Sequence, residues 1–503
     1  MKIKTKVTTL DYSDPFKLFK EISDNGNNIS LLMESRSLNE RYGRQTIIVP
    51  NPSIKIVGSE NKFRIEALTK KGKDILKLFN KKDFEFANNV KFNADNITGI
   101  VKKEENNNTD EEGQFKLKNI SYVIKMILKK FESENDYCGL YGALSYDFAK
   151  NFYKINKKFE EKTDDFVLFL PTSVLVFYDL EKKAEKLEFI FENIKVDDEK
   201  VKGFEFKKQK NEIRFDVGER EYLKNLEKVI KDINNGRAMQ CVYSRKIEMA
   251  LQKHPFESYS QLRELNPSPY SFYYNFGNNE ILYGASPEIH IKVQKKEDKR
   301  EIEIRPIAGT IQRPQNAFGD ADARKKLLND EKEIREHTML VDLARHELYK
   351  LCKRQSVEVT DLFTLEKYTN LYHLVSGVKG ILKNNDVIDA MLVTLPAGTL
   401  SGAPKQEAMK MIEEYESSKR GFYGGAIGLI GFNETCNTGI TIRSIHVKNN
   451  FSTVRAGGGV VALSTSLGEL NESKLKMSKA LLVLEESKWK YFILIIMTLL
   501  LTQ

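Results

Sequence analysis

Apolar and polar residues change places every one or two positions through most of the first 215 residues, the pattern of half-buried strands. "RQTIIVPNPSIKIVGSENKFRIEAL" breaks at its proline, asparagine and glycine residues into three such runs and predicts three strands. "NISYVIKMILKKFES" has the three-and-four spacing of a helix instead. Two polar stretches, "KKEENNNTDEEG" and "DDEKVKGFEFKKQKNE", lack either period and predict loops or linkers. The second leads into "REYLKNLEKVIKDINNG", an amphipathic helix with an Asn-Gly stop. The main boundary falls there, dividing the chain into 1–215, 216–486 and an apolar tail, 487–503.

Between 216 and 486, strand-like runs ("ILYGASPEIHIKV", "GLIGFNETCNTGITIRSIHV", "STVRAGGGVVA") alternate with predicted helices around 320–354, 401–415 and 469–485. The hairpin spacing predicts an α/β chain of the α+β type, with antiparallel pairing rather than repeated βαβ units. There is no internal repeat, no GxGxxG after a strand and no P-loop, so nucleotide binding has no support.

Composition narrows the class. The 503 residues are 41% hydrophobic and 30% charged, as in a globular protein. The net charge of +9 is spread without a basic stripe, so no nucleic-acid partner is expected. Cys138, Cys241, Cys352 and Cys436 form no CxxC pair, which argues for a reduced, cytoplasmic setting without disulfides or zinc. The start lacks the apolar segment of a signal peptide, and the apolar run near the end is well short of the ~20 residues that span a bilayer. No membrane association is expected.

Chemistry concentrates at two helix starts. "DEKEIREHTMLVDLAR" carries Glu333 and Glu336, and "GELNESKLKMSKALLVL" carries Glu469 and Glu472. Each E-x-x-E pair projects two carboxylates from one helix face. Either pair alone reads as acids complementing the helix dipole; two pairs entering apolar helices favour a hard-cation site such as magnesium. "RAGGGVV" places Gly457, Gly458 and Gly459 after a strand, where backbone amides can face a carboxylate. "TIRSI" offers Arg443 on an otherwise apolar strand, a fork suited to a carboxylate. "LPAGTLSGAPKQEAMKMI" is a small-residue turn feeding a helix, with Thr399 as a hydrogen-bonding group.

With these stretches, "RPIAGT", "KEIREHTMLVDLAR", "GFYGGAIG", "GASPE" and "NPSPY" make the chain resemble the chorismate-utilising enzymes, and within them the large subunits of anthranilate synthases. The resemblance is strong over about 220–485 and looser before it. It implies mostly antiparallel sheets forming a sandwich flanked by helices. It implies chorismate as substrate and Mg2+ as cofactor, with Glu336 and Glu472 as direct ligands and Glu333 and Glu469 acting through water. Tyr423 and Arg443 would hold the enolpyruvyl carboxylate, and Gly457 to Gly459 with Lys476 the ring carboxylate. Gly309 and Thr310 would line the pocket, and His373 and Glu288 would transfer protons. Without that context, a lone histidine such as His373 reads as structural and Glu288 as a strand-end acid.

Two positions separate the branches. Water-using relatives carry a lysine where this chain has Gln240, which points to ammonia as nucleophile. Aminodeoxychorismate synthases carry a lysine at the place of Ala308, which favours the anthranilate branch over that alternative. "LLMESRS" with "NPSPYSFYY" resembles a tryptophan-inhibition pocket using Ser35, Pro269, Tyr270 and Ser271, although Met33 and Ser271 depart from the usual pattern. "DLARHELYK" departs too, and His346 and Glu347 receive no role, being expected on the helix surface or near the metal helix end. The tail "KYFILIIMTLLLTQ" resembles the first strand of a glutamine amidotransferase and suggests a fusion interrupted after Ile496. No glutaminase nucleophile is recognised, so ammonia is expected free or from an amidotransferase subunit in a hetero-oligomer. A non-catalytic tryptophan-binding regulator is the reading of another class; the four glutamates, His373 and Arg443 argue against it.

Overall fold

The computed structural model describes residues 1–36, 44–102, 117–153, 163–192, 199–314, 317–367 and 371–485, with a few single positions between them. The tail 487–503 and much of "KKEENNNTDEEG" lie outside the described residues.

The three strands predicted in 44–68 form as Gln45–Val49, Pro52–Ser59 and Lys62–Ala67, and the helix after them as Tyr122–Lys130. The strands of both chain halves assemble into a 12-stranded and a 13-stranded sheet, every named pair antiparallel except at isolated bridges. In the first sheet, Leu31–Glu34 from the N-terminal half pairs with Tyr270–Gly277 from the C-terminal half. In the second, Gly139–Leu144 pairs with Ala426–Gly431. Residue 216 therefore divides the sequence at the start of the Glu219–Asn234 helix, while both sheets run continuously across the two halves.

Strand alternation decides which side chains meet. Leu31, Val49, Phe272 and Phe276 of the first sheet face Ile54, Phe169 and Ile427 of the second in one apolar core, with Phe169 and Phe276 stacked at 6.2 Å. Leu32, Ile48, Tyr273 and Tyr283 turn to the opposite face, where Phe19, Tyr259 and Met477 cover them from three helices. The two sheets thus form a sandwich with helices outside, as expected.

Two predicted helices are interrupted. The segment 320–354 is two helices, Ala317–Leu328 and Glu331–Leu351, because Asp330 caps the second by accepting from the amides of Lys332 and Glu333. The segment 401–415 is a short turn of helix, Gly398–Ser401, then a two-residue strand and the helix Lys405–Tyr415. Gly402, at φ +121, lies so close to Gln240 that a Cβ would sit 2.1 Å from its carbonyl oxygen.

Candidate active site

The two acidic helix starts lie at the edge where the sheets end. Glu331–Leu351 packs on the strands Ile307–Gln312 and Leu371–Ile381, and Ser466–Leu484 packs on Phe451–Val460. The glycine run is inside that last strand, not after it. Its pairing with Gln240–Ala250 is continuous, setting Gly457 opposite Ser244 and Gly459 opposite Val242. On the other edge the pairing with Ser444–Lys448 ends at Ile445 opposite Val454, short of the glycine run, which packs against the helix. There Lys476 Nζ donates to the Gly457 carbonyl at 2.9 Å.

The missing side chains make room for particular neighbours. A Cβ on Gly458 would lie 2.2 Å from Glu469 Oε2, and one on Gly459 2.3 Å from Gln240 Nε2. Glu469 is thereby seated under the strand, with Oε1 accepting from the Ser464 hydroxyl at 2.7 Å. Its other oxygen is buried and meets no hydrogen-bond donor. Burial and the negative charge of Glu472 push the Glu469 carboxyl up to about 7. Across the site, burial followed by neighbouring negative charge, Glu472 included, also raises Glu333 and Glu336. Lysines offset these acids: Lys476 lies 2.5 Å from Glu472, and Lys332, 3.7 Å from Glu336, pulls against the rise of both Glu336 and Glu333. Among the described residues no three such groups converge closely enough to hold a metal ion as they stand.

A bulge supplies the facing wall. Between Ala308 and Thr310 the register with Leu371–Ile381 slips, and Gly309 absorbs the turn at φ +80, a conformation that favours glycine. A Cβ there would sit 3.2 Å from Glu333 Oε2. The slip sets Thr310 opposite His373, their Oγ1 and Nδ1 atoms 2.8 Å apart. Burial, reinforced by the positive charges of Arg443 and Lys476, pulls the His373 imidazole down to about 4. His373 is therefore neutral at pH 7 and able to accept a proton.

Glu288 follows the strand Glu280–Ser286 and is buried. Burial pushes its carboxyl up to about 8, against the opposing pull of the Thr399 hydroxyl. It borders a cavity of about 30 Å³ that Thr399, His290 and Glu347 also line. At neutral pH Glu288 thus carries a proton it can donate.

Arg443 is placed differently from expectation. It occupies the break between Cys436–Ile440 and Ser444–Lys448 rather than a strand, at φ +51, with Nη1 bonded to the Lys476 carbonyl at 2.9 Å. The left-handed residue redirects the chain and turns the guanidinium toward the acid helix, where Tyr423 and Glu472 are its charged or polar neighbours. Tyr423 packs with Leu400 and Ile440 in a small apolar cluster. Lys476 is the shared neighbour of Glu288, His373, Glu469 and Glu472.

The inhibitor segment is brought together in part. Leu31–Glu34 pairs with the strand that begins at Tyr270, and the Arg36 amide donates to the Ser268 carbonyl at 2.9 Å, so Ser35 and Pro269 are neighbours. Tyr270 reaches between the sheets, donating to Asn437 Oδ1 at 2.9 Å. Ser271 is next along the strand and its side chain turns to the helix side, toward the Ser268 carbonyl.

Sequence reasoning missed the buried charges. Glu347 is not a surface acid: it is buried and ion-paired with Lys405, whose Nζ also donates to the Val393 carbonyl at 3.0 Å. It was expected on the helix surface or near the metal helix end; the lysine that buries it lies 58 positions away in the sequence. Glu416, Arg420 and Arg455 form a second buried cluster. The sequence signals for it were Arg420, immediately before the motif "GFYGGAIG", and Arg455, which opens "RAGGGVV".

Comparison with known proteins places the chain in a family. The model for the chorismate binding enzymes matches residues 70–482. Anthranilate synthase component 1 of Buchnera aphidicola subsp. Acyrthosiphon pisum is 32% identical over 513 residues, covering 96% of each chain. The protein of that name from Neisseria meningitidis serogroup B is 44% identical over 262 residues, so the match spans about half the length of that relative and 52% of this chain. The crystal structure of anthranilate synthase component I from Streptococcus pneumoniae TIGR4 aligns with a TM-score of 0.64 at 25% identity, over 87% of this chain and 92% of that one. MenF, the menaquinone-specific isochorismate synthase from Escherichia coli, shares the fold with a TM-score of 0.65 at 14% identity, over 96% and 95% of the chains. The chain belongs to the chorismate-binding enzyme family.

Proposed function

We propose that this chain is an anthranilate synthase component I, converting chorismate and ammonia to anthranilate and pyruvate in tryptophan biosynthesis in the cytoplasm. One observation carries the reading: 96% of the chain aligns at 32% identity with an anthranilate synthase component 1. Within the site, burial favours the protonated form of Glu288 and the neutral form of His373. Ammonia adds at C2 of the chorismate ring as the C4 hydroxyl departs; the C2 proton and pyruvate are then lost and the ring becomes aromatic. Glu288 supplies the proton to the departing hydroxyl, and Thr399 orients it. His373 removes the C2 proton, with Thr310 holding the ring. Arg443 and Tyr423 bind the enolpyruvyl carboxylate, while Lys476 and the backbone of Gly457, Gly458 and Gly459 bind the ring carboxylate. Gly309 keeps that wall of the pocket open.

Glu333, Glu336, Glu469 and Glu472 suit a divalent cation in donor chemistry. They are four oxygen ligands, three of which hold protons more tightly than usual because their negative charge is crowded or buried. When bound, Mg2+ would neutralise them and polarise the ring carboxylate. Gln240 is a neutral amide with no capacity to activate water, which supports ammonia as nucleophile. Ala308 supports anthranilate over aminodeoxychorismate as product.

The four cysteines are buried and burial pushes each thiol up to about 12, so none is a ready thiolate for glutamine hydrolysis. Ammonia then enters free or is supplied by a glutamine amidotransferase subunit. L-Tryptophan would bind between the sheets at Ser35, Pro269 and Tyr270, with Ser271 shaping the strand behind them. The test is turnover of chorismate with ammonium and Mg2+, read as anthranilate fluorescence and by identifying the product. Aminodeoxychorismate as product, or turnover with glutamine and no second protein, refutes the assignment in its respective part. Activity unmoved by tryptophan removes the inhibitor site.

A further inference from the structure

A cluster of buried charges stands behind the site and meets it at the Tyr423 ring. Glu416, at 1% exposure, ends the helix Lys405–Tyr415. Its carboxylate accepts from the Ser244 amide at 2.9 Å and hydroxyl at 2.6 Å, from Arg420 Nη2 at 2.6 Å and from Arg455 Nη1 at 3.1 Å. Asp216 adds a second carboxylate 3.3 Å from Arg455 Nη2. Two guanidiniums and two carboxylates therefore balance where an unpaired charge would be costly.

The two arginines spend their remaining donors differently. Arg455 bonds the Ser244 hydroxyl at 3.0 Å and the carbonyls of Ser418 and Lys419 at 3.1 Å, all inside the cluster. Arg420 reaches outward. Its Nη1 donates to the Leu400 carbonyl at 2.5 Å and its Nη2 to the Val242 carbonyl at 2.6 Å. Its guanidinium also lies 4.6 Å from the Tyr146 ring centre and 5.7 Å from that of Tyr423. Leu400 follows Thr399, and Val242 sits opposite Gly459 on the strand that begins at Gln240. One planar side chain thus ties together three walls of the site: the Thr399 turn, the Gln240 strand and the Tyr423 ring.

We propose that Arg420 is a positioning residue that fixes Tyr423 and the Thr399 turn against the glycine strand, and so sets the width of the pocket for the enolpyruvyl carboxylate. The functional half of this rests on the proposed function; the positional half does not. Lysine keeps the charge beside Glu416 but lacks the fork that reaches Leu400 and Val242 together. Arg420→Lys and Arg455→Lys, equally buried, therefore separate positioning from bulk stability.

In Arg420→Lys, backbone amides of 398–401 and 421–425 should exchange hydrogen at least ~10-fold faster than in the wild type. The KM for chorismate should rise ~10-fold with kcat within ~3-fold. Arg455→Lys should show neither change beyond ~2-fold. Unchanged exchange in Arg420→Lys, the same pattern in Arg455→Lys, or a fall in kcat alone overturns the proposal. If the exchange pattern is as expected but the wild type neither binds nor converts chorismate, the functional reading fails and the positioning stands. Should Arg420→Lys not fold, Arg420→Met with Glu416→Gln, which removes donor and acceptor charge together, carries the same measurements.

Discussion

Glu333 and Glu469 are each the first acid of an E-x-x-E helix start, and each rests against a glycine of a facing strand. Their surroundings differ. Glu469 is buried with one oxygen lacking a donor, and Gly458 leaves it only 2.2 Å of Cβ clearance. Glu333 is half-buried, and Gly309 leaves 3.2 Å. The second acids differ as well: Glu472 is in contact with Lys476, while Glu336 has only the more distant Lys332. The spacing of acids thus fixes that two carboxylates share a face, and the strand opposite fixes what each one is. One helix presents a buried acid whose carboxyl is pushed up to about 7 beside a more exposed one; the other presents two half-buried acids, both raised.

The largest expected effect breaks the site from both sides. Glu472→Gln and Glu336→Gln should each lower kcat/KM by ~10³-fold or more, because charge stabilisation in the reaction is lost, with thermal stability preserved. Equal activity in either variant, with metal removed by chelation, would end the idea of a shared cation.

Next come the glycines. Gly458→Ala displaces the flexible end of Glu469, so activity should fall ~10²-fold while stability drops by only about 1 kcal/mol. Gly309→Ala meets a left-handed backbone instead and should cost about 1–2 kcal/mol with a smaller loss of activity. Denaturant titration and steady-state kinetics on the pair distinguish the two; the reverse ranking refutes the contrast.

The smallest effect is a pH signature. An acid held at about 7 when folded, against its ordinary value of 4.5, costs stability that is absent below pH 4.5 and complete above pH 7. Glu469→Gln removes that cost, so in metal-free protein it should raise Tm by about 2 °C at pH 8 and leave it nearly unchanged at pH 4.5. Saturating Mg2+ at pH 8 should stabilise the wild type more than the variant. A variant less stable than wild type at pH 8 without metal contradicts the buried, charged Glu469.

How much was legible differed by element. Strands such as Gln45–Val49 and helices such as Glu219–Asn234 followed from local period and stop signals, which involve only near neighbours. The interruption at Asp330 was also local, a cap visible as Asp before Glu-Lys-Glu, yet the charged run around it masked the cue. Arg443 was read on a strand because its flanking residues are apolar; its left-handed turn depends on the Ala285 amide that donates to its carbonyl at 3.2 Å. Ser271 was grouped with Tyr270 by the family resemblance; strand alternation sends their side chains to opposite faces.

By itself, the sequence determined the periodic elements, the two acid pairs, the glycine run and the likeness to a family of enzymes, because each is written in residues close along the chain. Only the tertiary structure decided that both sheets cross the midpoint of the chain, that Glu469 rather than its partner is the buried acid, and that Glu347 and Arg420 are interior charges. Those outcomes depend on which distant groups share a desolvated space. Burial and charge pairing are set by contacts across tens to hundreds of positions, and no local pattern encodes them.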